Sequence, residues 1–180
     1  DVSVEQPLGE RFVGLSLAGT GARVNTGKRT SPGFLFATLL WHEALAAWEA
    51  RKQNGEPPIP ALHGAMDEVL DIQGGKLAIT RRIAADIKDI WILQPRLENR
   101  SGRRPLRVIE QPRFRAGYDF LLLRAESGEV AQELADWWRA FLDADTEARL
   151  AMLTPEKKPA RRKRRRRKGG GEGADSEGGE

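Results

Sequence analysis

The sequence predicts an all-α fold, a helical bundle of about five helices followed by a disordered basic tail. Apolar residues recur at helical spacing in five stretches of residues 32–150, and Gly, Asn or Pro interrupts the chain between them. No stretch alternates apolar and polar residues around a hairpin turn. The predicted domains are a connector from a missing upstream domain over residues 1–31, a helical domain over 32–150, and a tail over 151–180.

The first predicted helix has a clear start and stop. Ser31 followed by Pro32 combines an N-cap residue with proline at the first helical position, and Asn54-Gly55 ends the run. At the spacing of one helix face follow Leu35, Leu39, His42, Leu45, and then Trp48 or Glu49.

The second and third predicted helices are separated by glycines. Prolines 57, 58 and 60 predict a break, after which a helix runs from about Ala61 to Gln73. Thr80 caps the third helix, and Pro95 should end or kink it because proline has no N–H and its ring clashes with the preceding turn. The apolar face of the third helix comprises Ile79, Ile83, Ile87, Ile90 and Trp91.

The last two predicted helices complete the bundle. Pro112 opens a helix through Phe114, Tyr118 and Ala125, and the fifth runs from about Glu129 to Asp143. Helical aromatics on apolar faces are core residues more often than base-stacking platforms. We therefore predict that the buried tryptophans are Trp41, Trp48, Trp91 and one of Trp137 and Trp138.

A run of eight adjacent cations, the basic octet, dominates the tail. From residue 155 onward 10 Lys and Arg stand against 5 Asp and Glu, a net charge of +5, so residues 1–154 carry −1 of the total of +4. Because such a run exchanges small counterions for phosphates, it predicts sequence-tolerant, salt-dependent binding of RNA or DNA. The alternatives are a solubilising tail without a defined partner and a nuclear address. The octet comprises Arg161, Arg162, Lys163, Arg164, Arg165, Arg166, Arg167 and Lys168.

A second group of arginines lies inside the predicted helical domain. Between Arg96 and Arg115 there are seven arginines against two acids. Ser101-Gly102 and Pro105 predict that the middle of this group is an exposed loop, where arginines are well placed to contact RNA phosphates. The alternative is a solvated face whose arginines pair with nearby acids. The RNA-binding residues predicted here are Arg103, Arg104, Arg107, Arg113 and Arg115.

Other kinds of site find little support. The chain has no cysteine, which excludes disulfides and thiolate metal sites. His42 and His63 do not have metal-ligand spacing, and each is expected to be a half-buried polar residue. Asp143 and Asp145 lie at a predicted helix end, where side chains two apart diverge. We therefore predict no catalytic residue, metal or cofactor in this segment. The apolar runs are too short for a membrane span of about 20 residues, and no signal peptide is recognisable.

A series of short sequence blocks carries a family resemblance. Asn25-Thr26-Gly27-Lys28-Arg29 and Pro32-Gly33-Phe34-Leu35-Phe36-Ala37 come first, followed by residues 77–83 and 89–94. The most specific block is Pro112-Arg113-Phe114-Arg115-Ala116-Gly117-Tyr118-Asp119. With the tryptophan pair and the arginine-rich tail, the series covers roughly residues 12–168 and resembles the body of bacterial poly(A) polymerases.

The resemblance implies the RNA-holding body and tail of a nucleotidyltransferase that adds AMP from ATP to RNA 3′ ends. In that family the magnesium-binding carboxylates lie upstream, so ATP and Mg belong to the parent enzyme, and the implied partners are RNA and an upstream catalytic domain. Asp1 as first residue suggests a fragment. The rival interpretations are a CCA-adding tRNA nucleotidyltransferase, a helical RNA-binding module without an enzyme, and a protein-interaction domain. We expect a cytoplasmic location, and the oligomeric state stays open.

Overall fold

The computed structural model describes residues 31–155, and this part of the chain contains seven helices and no strand. The predicted all-α class is confirmed. The predicted connector up to residue 30 and the tail from residue 156, including the basic octet, lie outside the described residues. The helices are α1 (Pro32–Gln53), α2 (Pro58–Gly74), α3 (Arg81–Glu98), α4 (Arg104–Val108), α5 (Phe114–Glu126), α6 (Gln132–Asp143) and α7 (Thr146–Met152).

Local capping chemistry sets the start of α1 and α3, as predicted. The Ser31 hydroxyl accepts the backbone N–H of Phe34 at 3.2 Å, and the Thr80 hydroxyl accepts that of Ile83 at 3.3 Å. Each bond satisfies a first-turn N–H that has no partner within the helix. Helix α1 ends before Gly55, whose φ of +88° suits a residue without a Cβ.

The predicted break is wrong at Pro58 and Pro60, and the predicted end of α3 at Pro95 is also wrong, whereas the alternative of a kink at Pro95 stays a prediction. Pro58 and Pro60 lie in the first turn of α2, where a missing N–H costs nothing because that group has no helical acceptor. Pro95 lies inside α3, which continues to Glu98. The added turn buries Leu97 completely, and the Asn99 N–H donates to the Pro95 carbonyl at 3.1 Å. Core burial therefore offsets the hydrogen bond that Pro95 removes.

Helices α1, α2 and α3 enclose the first of the two hydrophobic cores that residues 31–155 form. Phe120 of α5 completes it, with its ring edge-on to Trp41 at a centroid distance of 5.4 Å. The indole N–H of Trp91 donates to the Ala37 carbonyl at 3.1 Å, and that of Trp48 to the Pro58 carbonyl at 2.8 Å. These bonds satisfy the polar atoms that the large side chains carry into the interior.

The second core lies between the end of α3 and helices α4, α5 and α6. Trp138 is fully buried there and donates its indole N–H to the Leu97 carbonyl at 2.8 Å. Its ring packs edge-on against Phe141 at 5.6 Å. The predicted core tryptophans are confirmed, with Trp138 as the buried member of the pair and Trp137 only partly buried.

The face predicted for α1 is wrong in phase. Leu35 and Leu39 are exposed, at 39% and 51%, whereas the buried face is the one that carries Phe34, Leu40 and Trp41. The helix is apolar around most of its circumference, so periodicity alone does not select the side that packs.

A buried polar network links the two cores. The guanidinium group of Arg124, 3% exposed, donates through Nε to Glu129 at 3.0 Å and through Nη1 to the Gln94 side chain at 3.1 Å. Glu129 also accepts the indole N–H of Trp41 at 2.9 Å. Gln94 in turn donates to the Gly117 carbonyl at 3.2 Å. Helices α1, α3 and α5 are thereby connected, which holds α3 in place for the surface described next.

Candidate nucleic-acid interface

The middle of the arginine group is a short helix rather than the predicted loop. Arg104 and Arg107 belong to α4, whose Pro105 and Val108 are buried against the second core. Because residues three apart lie on one side of a helix, the two arginines share the outward side. The predicted loop is confirmed for residues 101–103, which lie outside any helix, and is wrong from Arg104 onward, because Pro105 anchors the segment in the core instead of marking an exposed turn.

The residues that lead into α4 are held by contacts with Thr154, near the end of the described range. The Gly102 N–H donates to the Thr154 carbonyl at 3.0 Å, within a bridge between Ser101 and Thr154. The Asn99 side-chain oxygen accepts the Ser101 hydroxyl at 2.8 Å and Nη1 of Arg104 at 3.3 Å. Arg104 also donates to the Ser101 hydroxyl. Its guanidinium group is thus positioned before any ligand arrives.

Helices α2, α3 and α4 border an open groove of about 470 Å³, which we call the arginine groove. Its floor is apolar, formed by Ile59, Leu62, Ile92, Pro95 and Val108. Its polar lining consists of His63, Arg96, Asn99, Arg104, Arg107 and Gln111. The contributions of α2 and α3 recur at helical spacing, so each helix presents one continuous face to the groove.

The arginine groove carries positive charge, and two of its arginines meet no acid among residues 31–155. None of the described residues that line it is Asp or Glu. Arg96 and Arg107 are exposed and form no ion pair within residues 31–155. Guanidinium groups collected around a concave surface with an apolar floor raise the local potential and attract anions. The arrangement suits phosphate oxygens, which match the forked donors of arginine.

The remaining arginines of the group divide between the two interpretations given above, arginines available to phosphates and arginines paired with acids. Arg113 pairs with Asp86, Arg115 with Asp119 at 3.5 Å, and Arg100 with a carboxylate of α6. For these three, the alternative of a solvated face with paired charges is the observed state. Arg113 also lines a smaller cavity of about 300 Å³ that adjoins the groove. Arg103 is exposed and forms no ion pair among the described residues, but it does not line the groove.

The ion pair of Arg100 ties the end of α3 to α6. Its two guanidinium nitrogens lie 2.7 and 3.1 Å from the carboxylate oxygens of Glu133, a bidentate arrangement. The hydrogen bond from Arg100 holds the pKa of Glu133 below its ordinary value. The Arg100 guanidinium group also lies over the Trp137 ring, 5.3 Å from its centroid. Arg100 is thus engaged in holding the domain together.

Of the two carboxylates that were considered as metal ligands, Asp143 and Asp145, the second has a structural role. Asp145 caps α7, with its side chain accepting the Ala148 N–H at 2.8 Å. Over residues 31–155, no group of three or more His, Asp and Glu side chains is arranged to hold a metal ion. No helix in this range has the length and apolar character of a membrane span.

Sequence reasoning missed part of the groove. Arg96 was counted in the arginine group but not among the predicted binding residues, since Pro95 was expected to disturb its geometry. Ile59 and His63 were not predicted as site residues, and His63 is exposed at the groove rim rather than half-buried. The only local signal for a role of Arg96 in the groove was its i, i+3 spacing to Asn99. This spacing places the two residues on one side of the chain only if α3 continues past Pro95.

The class that these features define is an all-α domain with an arginine-lined groove that has no acid among its described lining residues. The family model described as "Polymerase A arginine-rich C-terminus" matches residues 54–169. The chain therefore belongs to the family of polymerase A arginine-rich C-termini.

Three relatives show the same affiliation. Poly(A) polymerase I of Haemophilus influenzae is 37% identical over 158 residues, covering 86% of this chain and 34% of the relative. Poly(A) polymerase I of Escherichia coli O157:H7 is 38% identical over 158 residues, covering 84% and 34%. That of Salmonella typhi is 36% identical over 169 residues, covering 84% and 36%. The chain thus spans about a third of the length of these curated relatives, and the predicted family resemblance is confirmed.

Proposed function

We propose that this chain is the RNA-holding C-terminal region of an enzyme that adds AMP units from ATP to RNA 3′ ends. The observation that carries the proposal is the arginine groove, with three guanidinium groups and no carboxylate among the described residues that line it. Three arginines of the same group form ion pairs with acids, whereas Arg96 and Arg107 form none with any described residue. Charges left unpaired around a concave surface are available to an anionic strand.

Phosphate contacts suit the proposed reaction. An enzyme that extends RNA without a template must release and re-grip a growing strand, so its distal contacts should tolerate any sequence. Contacts to phosphate and sugar position a strand without reading its bases. The basic octet, Arg161 to Lys168, would add further phosphate contacts of the same kind. Predicted sites Arg103, Arg104, Arg107, Arg113 and Arg115 belong to this proposal, with the last two acting only if they leave their acidic partners.

The chemical step belongs, in this proposal, to another part of the parent enzyme. The relatives carry the name poly(A) polymerase I, which favours AMP addition over CCA addition. ATP and Mg would be bound by the upstream catalytic domain, which would be this region's partner within one chain. Cytoplasmic RNA would then be the substrate that the region holds.

Direct RNA binding tests the proposal. The 180-residue chain is titrated against fluorescein-labelled 20-nucleotide RNAs of oligo(A), oligo(U) and mixed sequence, with anisotropy measured in 50 mM salt. We expect binding to all three RNAs, with dissociation constants within a few-fold of one another, since the contacts are to phosphate. A chain that binds none of them in dilute buffer contradicts the proposal.

Two variants locate the binding charges. Replacing Arg103, Arg104 and Arg107 together by Gln should weaken binding to every RNA by a similar factor. Deleting residues 161–168 should lower affinity and flatten its salt dependence, because fewer counterions are released. An unchanged salt dependence after the deletion would remove the octet from the proposal.

Nucleotide incorporation tests the division of labour. The purified 180-residue chain, supplied with radiolabelled ATP, Mg and an RNA primer, should incorporate no AMP. Incorporation by a homogeneous preparation, persisting through further purification, would show that a catalytic centre lies in this region after all.

A further inference from the structure

We infer that the arginine groove takes one unstacked nucleobase of the bound strand onto its apolar floor, while Arg96, Arg104 and Arg107 contact the flanking phosphates. This inference rests on the proposed function and goes beyond it, because phosphate binding alone requires no pocket. It assigns a nucleotide subsite to Ile59 and His63, which no charge-based argument would select.

The apolar floor of the groove suits contact with an apolar ligand surface. Ile59 is 51% exposed at its edge, although it belongs to a helix whose other face is packed in the first core. Leu62, Ile92 and Val108 continue the surface inward. An apolar floor rimmed by polar groups is the composition of a ligand site rather than of a charged surface face. The His63 ring at the rim adds a flat surface of the kind on which unpaired bases stack.

The volume of the groove agrees with that of a nucleotide. About 470 Å³ falls within the range of small-ligand sites, roughly 300–1,000 Å³. A groove meant only for a phosphate backbone has no need of a cavity of this size. One nucleotide has a flat, largely apolar base joined to an anionic phosphate, which matches an apolar floor with guanidinium groups at its rim.

Polar atoms at the groove wall remain available for a base edge. Asn99 uses its side-chain oxygen for Ser101 and Arg104, and its amide nitrogen makes no hydrogen bond to another residue of the described range. Gln111 donates through its amide nitrogen to the Arg107 carbonyl at 3.3 Å, and its side-chain oxygen accepts no hydrogen bond from any residue that the structure describes. The groove therefore presents one amide donor and one amide acceptor, a pair that suits the edge of a purine or a pyrimidine.

Intact and abasic strands of equal charge separate base binding from phosphate binding. The 180-residue chain is titrated with a 12-nucleotide oligo(U) RNA and with an abasic strand that has the same number of phosphates. Oligo(U) is chosen because its bases stack weakly on one another. We expect the intact strand to bind roughly five- to 150-fold more tightly, the range for one covered base.

A pair of matched isoleucine variants places the effect in the groove. Ile59→Ser removes the exposed edge of the floor, whereas Ile72→Ser removes an isoleucine of α2 that is 54% exposed and does not line the groove. Both positions are solvent-exposed, so both variants should fold, which thermal melts by circular dichroism verify. The ratio of abasic to intact dissociation constants should fall towards one in Ile59→Ser and stay at the wild-type value in Ile72→Ser.

Each outcome bears on either the inference or the proposed function. If both strands bind with equal affinity and steep salt dependence, or if the two isoleucine variants behave alike, the base subsite is refuted while phosphate binding stands. If neither strand binds at low salt, the proposed function itself fails. Oligoglutamate of equal charge should compete with oligo(U) for the chain no better than the abasic strand does. Competition as strong as that of intact RNA would assign the groove to acidic peptides and overturn the inference.

Discussion

Replacing Arg124 by Met should destabilise the domain far more than an ordinary arginine substitution does. The side chain is 3% exposed, and its guanidinium group bonds to Glu129 at 3.0 Å and to Gln94 at 3.1 Å. It also lies 3.8 Å from Glu98 and over the Trp41 ring, 5.0 Å from its centroid. Met fills a similar volume, so the change removes charge and hydrogen bonds rather than creating a large cavity.

The expected loss of stability follows from what the substitution leaves behind. Removing one partner of a buried ion pair costs about 3–5 kcal/mol because the other charge stays buried. Glu129 keeps the indole N–H of Trp41 as a donor at 2.9 Å, which moderates the loss. We therefore expect the lower end of the range, about 3 kcal/mol. For a domain of this size that corresponds to a fall in Tm of roughly 10 °C.

Urea denaturation of the 180-residue chain, followed by tryptophan fluorescence and circular dichroism, measures this loss. Arg139→Met is the matched control, since Arg139 lies 3.8 Å from Asp136 with both side chains about 60% exposed. An exposed pair of this kind contributes less than about 1 kcal/mol. If the two variants lose equal stability, the reasoning that the Arg124 network links the two cores is refuted.

Two further predictions concern the elements that support the groove. Gly117→Ala should lower the free energy of unfolding, measured by urea denaturation, by about 1–3 kcal/mol, because a Cβ there would lie 2.6 Å from the Leu93 side chain. Gly74→Ala is the control: a Cβ at Gly74 meets nothing within 4 Å, so this variant should lose no stability. Equal losses in the two variants would contradict the close approach of Gly117 to Leu93. The Arg100 bond lowers the pKa of Glu133, so its contribution is complete above the ordinary glutamate pKa and disappears as pH falls through the lower folded value. The stability difference between wild type and Glu133→Gln should accordingly shrink between pH 7 and pH 3, and a constant difference would argue against this bond.

The parts of the fold that depend on local chemistry were predictable from sequence. Ser31 and Thr80 cap helices because a hydroxyl before a helical run satisfies a first-turn N–H, whatever the rest of the fold does. Gly55 ends α1 for an equally local reason. The tryptophans were assigned to the core by helical spacing, and Trp41, Trp91 and Trp138 have no exposed surface.

The parts that depend on tertiary packing were not predictable. Pro95 was expected to end or kink α3, and the helix continues through it because Leu97 gains a place in the second core. Leu35 and Leu39 were assigned to the helix face that remains exposed, because α1 has apolar residues on several sides. Pro105 looked like a turn residue and is buried instead.

The candidate site shows the same division. Composition identified a group of arginines, but no sequence pattern says which of them meet an acid. Arg113 reaches Asp86 across 27 positions of the chain, and Arg100 reaches Glu133 across 33. Arg96 meets none within the described residues. Availability for a ligand is therefore a property of the folded surface, and the groove floor appears only when α2 and α3 pack together.

The most direct test of the phosphate-binding account is the slope of log K against log salt concentration for single-stranded RNA. The double variant Arg96→Gln/Arg107→Gln should reduce that slope by about 1.4, at roughly 0.7 for each lost phosphate contact. Arg82→Gln/Arg139→Gln removes the same charge from exposed positions outside the groove and should leave the slope near that of wild type. Equal slopes for the two double variants would contradict the account.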